Sequence, residues 1–489
     1  MITRPLVNEA VKIEWQRDKK EGTSFVKKTR NATVRKEEVK MVMDLVIRNG
    51  KIVTPQGVHE GDDIAVTDGK IAAINTQGSF PEAKEVIDAT GKYVLPGIID
   101  VHVHFREPGA TYKEDFESGS MGAAAGGVTA VMDMPNNTPF CSTVEALKQK
   151  REMIKSKAYV DYGFVVAIVG DTVEEVPKLP AAGANVFKIF MGETVGGLPA
   201  PDDAGILRAF QLVAETGLRV GVHAENRDIT EYFTAVLKKA GRTDPLAHVE
   251  ARPNIAEAEN IQRAILFAAE AGCNLHIYHL SSKEGVQLLR AAQEVGIPVS
   301  AETGPHYLLL DCDYMKKVGS VLKMNPPVRS RENGDMLWEG LLDGTVEVIA
   351  TDHSPHIPEE KVKDNIWEAI PGFPGVETQV PLMLTQVNEG RLSLSTYVKL
   401  ASENPARLFN LYPTKGTMQT GTDADFTIVD MDKEDVISGQ KLHSKSKITP
   451  FEGWKVKGLP IYTIVRGNIV MKDGEVVGKP RGKWIKPII

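Results

Sequence analysis

The sequence predicts an α/β fold: a (β/α)8 TIM-type barrel with a small β-sandwich domain built from both chain ends. Three observations predict it. Apolar β runs alternate with longer Ala/Leu/Glu/Lys helical stretches through the middle of the chain, this alternation yields eight candidate strands, and matching β-rich segments occur near both ends. A chain of 489 residues has room for one barrel-sized domain and a smaller companion.

In chain order, residues 1–43 form an extension without periodicity or chemical motif. Its first 40 residues carry 11 Lys/Arg against 6 Asp/Glu. Mixed signs favour a solvated or surface-packed tail over a nucleic-acid arm. Residues 44–95 hold short β runs, "DLVIRNGKIVTP", "DDIAVTDGKIAAI" and "KEVIDATGKYVLPG", broken at Gly and Pro. Residues 96–412 form the predicted barrel, with strands near 95–103, 127–133, 159–168, 184–190, 218–223, 273–279, 297–302 and 346–351. Residues 413–489 return to β-rich sequence in "TDADFTIVDMD" and "PIYTIVRGNIVMKDGEVV" and complete the sandwich. A doubly wound open sheet is the competing architecture, but the phosphate-cradling glycine fingerprint expected of many such folds is missing.

Composition narrows the function classes. Hydrophobic residues make up 42% and charged residues 25%, which supports a sizeable core. With 58 basic and 65 acidic residues the net charge is −7, which offers no general attraction to nucleic acid or anionic membrane, so a small-molecule substrate is expected. Cys141, Cys273 and Cys312 form no CxxC pair, which argues against a disulfide framework or a thiolate zinc site. No apolar leader or run of about 18 apolar residues is found, and a cytoplasmic protein is expected.

The chemistry gathers at predicted strand ends. In "VLPGIIDVHVHF" a period of two puts His102 and His104 on one face, as two nitrogen ligands for zinc or a similar ion. Lys188 in "NVFKIF", His223 in "LRVGVHAEN", His279 in "LHIYHLSS" and Asp352 in "VEVIATDHSPH" occupy the ends of four further strands. Alone, each could be a structural residue, and Asp352 a helix N-cap. Together they converge at the end of a barrel where active sites form.

Lys188 lies between Phe187 and Ile189, where an unpaired ammonium is costly to bury. Desolvation frees its amine to capture carbon dioxide as a carbamate, whose two oxygens could bridge two cations. His102, His104 and Asp352 would then hold one metal, and His223 with His279 the other. A hydroxide between them would attack a carbonyl, with Asp352 as the proton carrier.

The chain resembles the amidohydrolase superfamily, specifically the cyclic amidohydrolases: dihydroorotases, allantoinases and hydantoinases or dihydropyrimidinases. The resemblance runs from about Asp44 to about Gly478 and rests on "PGIIDVHVHFREPG", "AAAGGVTAVMDMPNNTP", "FKIFMG", "GVHAEN", "HLSS", "KMNPPVR", "ATDHSPH" and "NPARLF". It implies two divalent ions, zinc above others, an N6-carboxylated Lys188, a cyclic amide substrate and a homodimer or homotetramer. A non-catalytic scaffold relative is disfavoured because all six ligand positions keep their residue types.

Within that family, Arg106, Asn136 and His356 match the dihydroorotase pattern for holding a substrate carboxylate, and a guanidinium fork suits that task. The resemblance therefore implies reversible hydrolysis of L-dihydroorotate to N-carbamoyl-L-aspartate, with an allantoinase or hydantoinase as the alternative. "HLSS" and "AETGPHY" look closer to those two branches. Arg106 could instead pair with Glu107 or Asp115, and Asn136 could serve a turn beside Pro135. Asn325 is expected at an amide edge of the ring, and the loop from Pro371 over it. His306 and His353 are candidate supporting groups, whereas His59, His248 and His443 are expected at the surface.

Overall fold

Eight apolar segments pair in sequence order into one parallel sheet. They are β1 (Ile98–Val103), β2 (Val128–Asp133), β3 (Asp161–Ala167), β4 (Val186–Phe190), β5 (Arg219–His223), β6 (Asn274–Ile277), β7 (Val299–Thr303) and β8 (Val348–Ile349). The segment after β8 meets β1 in a parallel bridge between Val103 and His353. His104 N donates to His353 O at 2.8 Å, and His353 N to His102 O at 3.2 Å. The sheet thus closes on itself, and each predicted strand segment overlaps one of its strands. The structure, a computed structural model, describes residues 42–192 and 197–488, with the backbone of a short antiparallel pair, Trp15–Arg17 and Phe25–Lys27. The remainder of the predicted N-terminal extension lies outside the described residues.

Alternation within each strand sorts side chains between the barrel interior and the helical layer. Ile99, Val101, Ala130, Met132, Val165, Val186 and Val348 share one buried cluster, while Phe187, Ile189, Val220 and Val222 join the larger cluster outside it. The helices of the outer layer have clear end signals. Asp115 caps Phe116–Ala125 through Ser118 N, Ser282 caps Lys283–Glu294 through Gly285 N, and Gly272 ends Asn254–Ala271 in a left-handed turn at φ 66°.

Both chain ends build the β-rich domain. Tyr93–Pro96 pairs antiparallel with Phe426–Val436 in a seven-stranded sheet that also contains Lys51–Thr54 and Lys455–Val465. A four-stranded sheet of Met43–Arg48, Asp62–Thr67, Lys70–Thr76 and Ala83–Asp88 completes the domain, with Leu45, Ile47, Ile64, Phe426 and Ile464 in one core cluster. The tail then returns to the barrel: Tyr162 N donates to Lys483 O, Ile485 N donates to Tyr162 O, and Ile485 joins the interior cluster.

An ion cluster fastens sandwich to barrel. Lys415 Nζ is buried against Asp161 of β3, Asp425 at 2.6 Å and Asp423 at 2.9 Å, and Arg466 also contacts Asp161. Burial works against the ammonium, but the three carboxylates outweigh it and raise its pKa. Among the described residues, no helix is long and apolar enough to cross a membrane.

Candidate active site

The carboxyl ends of β1, β4, β5, β6 and β8 bring the predicted donors together. His102, His104, Lys188, His223, His279 and Asp352 line one cleft of about 430 Å3, with Arg106, Asn136, Phe190, Met324, Asn325, Ser354, Pro371 and Gly372. A register shift between Asp100 and Val103 breaks the pairing of β1 with β2. It turns His102 toward the interior residue Tyr278, with ring centroids 4.8 Å apart, while Val103 joins the outer cluster. Arg106, His279 and Asp352 have φ of 59°, 41° and 46°. Left-handed backbone at such residues costs roughly 1–3 kcal/mol each, and here it occurs where side chains must turn into the cleft.

Asp352 Oδ1 lies 3.2 Å from His102 Nε2 and 3.1 Å from His104 Nε2. His223 Nδ1 lies 3.0 Å from His279 Nε2. One donor atom each from His102, His279 and Asp352 falls within 4.8 Å of the others. Burial depresses the imidazole pKa values, that of His104 to about 3 and those of His102 and His279 well below the ordinary range. The rings are therefore neutral at pH 7 and keep a lone pair for a cation. Among the described residues, His104 Nδ1 and His279 Nδ1 are buried without a hydrogen-bond partner. Such a donor set fits a divalent cation.

Lys188 is 1% exposed, with Nζ 3.1 Å from His102 Nε2 and 4.3 Å from the Tyr278 ring centroid. Burial lowers its amine to about 8. This agrees with the expectation of a desolvated lysine.

Glu302 was not assigned a role from sequence. Projecting from β7, it contacts His102 Nδ1, accepts from His279 N at 3.2 Å and lies 3.4 Å from His276 Nε2. Its contact with Nδ1 leaves His102 Nε2 facing the cleft. Strand alternation from Ser300 was the available signal. Glu225 likewise lies 3.1 Å from His223 Nε2 and pairs with Arg252.

Arg106 is buried and lines the cleft. The two carboxylates considered as its partners are engaged elsewhere: Glu107 with Lys157 and Phe116 N, Asp115 with Lys445 and Ser118 N. Among the described residues no carboxylate lies within ion-pair distance of Arg106, and its Nε has no partner. Burial lowers the guanidinium to about 10, so it remains charged at pH 7.

Other expectations need correction. His356 is buried beside Arg106, whose Nη2 donates to His356 Nε2 at 3.2 Å. Asp352 caps no helix, because the next helix, Pro358–Lys361, begins after Ile357. His248 is buried rather than at the surface, and its Nε2 lies 2.8 Å from Met324 O, because its helix packs under the Met324–Asn325 wall. His443 is half-buried against Glu377. His306 packs on Phe373, and His353 Nδ1 accepts from Gly375 N. That bond draws in the Pro371 loop, where Gly372 at φ 118° approaches Ser354 too closely for a Cβ.

The amidohydrolase family model matches residues 93–470. The chain belongs to the amidohydrolase family. Among solved structures, this amidohydrolase is similar to the L-hydantoinase (dihydropyrimidinase) from Arthrobacter aurescens. The TM-score is 0.89 and the identity 38%, over 91% of this chain and 100% of the other. It is 40% identical to an allantoinase of Rubrobacter xylanophilus, over 91% of this chain and 98% of the relative. It is also 40% identical to a dihydroorotase of Methanothermobacter thermautotrophicus, over 91% and 97%. This amidohydrolase is accordingly a hydrolase acting on cyclic amides.

Proposed function

We propose that this amidohydrolase is a dihydroorotase, which interconverts L-dihydroorotate and N-carbamoyl-L-aspartate. The observation that carries this reading is the buried Arg106 guanidinium, charged and without a carboxylate partner among the described residues, facing the cleft that holds the donor cluster. A desolvated guanidinium calls for an anion, and the ring carboxylate of dihydroorotate supplies one. Asn136 and Asn325 line the same cleft and are placed to meet the ring's amide edges.

His102, His104, His223, His279, Asp352 and Lys188 as its carbamate would hold two divalent cations, and imidazole and carboxylate donors suit zinc. When bound, such a pair supplies an activated water and a polarised ring carbonyl. Asp352, between His102 and His104, takes up the proton released in the attack and returns it to the leaving ring nitrogen. Glu302 holds His102 in the orientation that keeps Nε2 toward the cleft. Glu302→Ala should lower zinc affinity roughly 10- to 100-fold, read by competition with a chelator.

Kinetics with Arg106→Met test the substrate. A charged hydrogen bond contributes about 1.5–3 kcal/mol, so KM for dihydroorotate should rise roughly 10- to 150-fold with zinc content unchanged. Unaltered dihydroorotate kinetics in this variant would sink the assignment. A second reading, opening of a hydantoin or allantoin ring, draws on the names of the L-hydantoinase and allantoinase relatives. It predicts turnover of those rings well above dihydroorotate in one preparation.

A further inference from the structure

Behind Arg106 stands a chain of polar groups in mutual contact: His356, Lys113, Glu360 and Tyr112. His356 has a donor beside each nitrogen: Arg106 Nη2 is 3.2 Å from Nε2, and Lys113 Nζ is 3.2 Å from Nδ1. A neutral imidazole has one N–H and one lone pair, so it can accept from only one of them. Lys113 has another acceptor, Glu360 Oε2 at 2.7 Å. The Arg106 guanidinium carries only donors, and among the described residues its one hydrogen bond runs to His356. The arrangement that satisfies both cations leaves the lone pair on Nε2 for Arg106 and the proton on Nδ1. There Glu360 Oε2, at 3.4 Å, is the acceptor. Glu360 is held in turn by Tyr112, whose hydroxyl donates to Oε1 at 2.8 Å.

We propose that Glu360, fixed by Lys113 and Tyr112 at the rim, is a positioning residue that sets the His356 tautomer and through it aims Arg106 at the substrate carboxylate. The inference rests on the carboxylate-bearing substrate proposed above. Glu360 never meets the ring. It determines how well the buried guanidinium is aligned, and so how strongly the site prefers an anionic ring over a neutral one.

The test uses the zinc-loaded full-length enzyme. Glu360→Met should raise KM for dihydroorotate roughly tenfold, the range seen when a group orienting a ligand is lost, with kcat changed by less than about twofold. Inhibition by orotate, which carries the carboxylate, should weaken in parallel, and inhibition by uracil, which lacks it, should not. Glu360→Gln keeps an oxygen that accepts from Nδ1–H and should recover most of the loss. An unchanged KM in Glu360→Met, or equal weakening of orotate and uracil, overturns the relay. Failure of the substrate reading is a different result, in which Arg106→Met itself leaves dihydroorotate kinetics unaltered, and it removes the relay as well.

Discussion

Lys188→Ala is expected to lose metal and activity together. The lysine is buried beside His102, and burial brings its amine to about 8. As a carbamate it would supply two anionic oxygens between the His102–His104 and His223–His279 halves of the cluster. Without it, several kcal/mol of charge stabilisation is forfeited, on the order of 10^3–10^4 in kcat/KM at about 1.4 kcal/mol per tenfold. Elemental analysis and turnover on one preparation check this. A short carboxylate such as propionate should restore part of both, because it can replace the missing bridge. Full zinc content with normal turnover in the variant would exclude a bridging role. The free amine is the form that captures carbon dioxide. At fixed dissolved carbon dioxide, recarbamylation of stripped protein should therefore accelerate as pH rises from about 6 to about 9, through the depressed pKa.

The largest stability effect is expected far from the chemistry, at Lys415→Met. Removing the ammonium leaves Asp161, Asp423 and Asp425 facing one another in a buried junction. Breaking a buried charge cluster by deleting one partner costs about 3–5 kcal/mol. The unfolding midpoint should drop by several degrees while KM for the folded enzyme is unchanged. The deficit should narrow in acid, where the stranded carboxylates accept protons. A midpoint equal to that of the wild type would show that Arg466 and Lys70, which also contact the cluster, suffice to neutralise it. The same three carboxylates have the spacing of a cation site, and Lys415 is the cation that fills it.

Much of the fold was legible because βα repetition is a local pattern. Each strand was visible as an apolar run, and the donors as polar residues at the ends of those runs. Boundaries were less legible: β6 ends at Ile277, before His279, and β8 is only Val348–Ile349. In both places the chain leaves extended geometry to aim a side chain, at His279 and Asp352. The surface expectation for His248 failed because burial against the distant Met324–Asn325 wall is not encoded in the residue's own surroundings.

By itself the sequence determined the barrel, the two-ended β domain and the clustering of six donors, because these follow from periodicity and residue type. Tertiary structure alone decided three things. The register shift in β1 settled which way His102 turns, since alternation states that two residues share a face but not which face. Closure of the sheet put Glu302 against His102, a contact between residues 200 positions apart. Packing also left Arg106 without a carboxylate partner among the described residues by committing Glu107 and Asp115 to other cations. Pairing of charges over such distances depends on where the chain returns, which local pattern does not record.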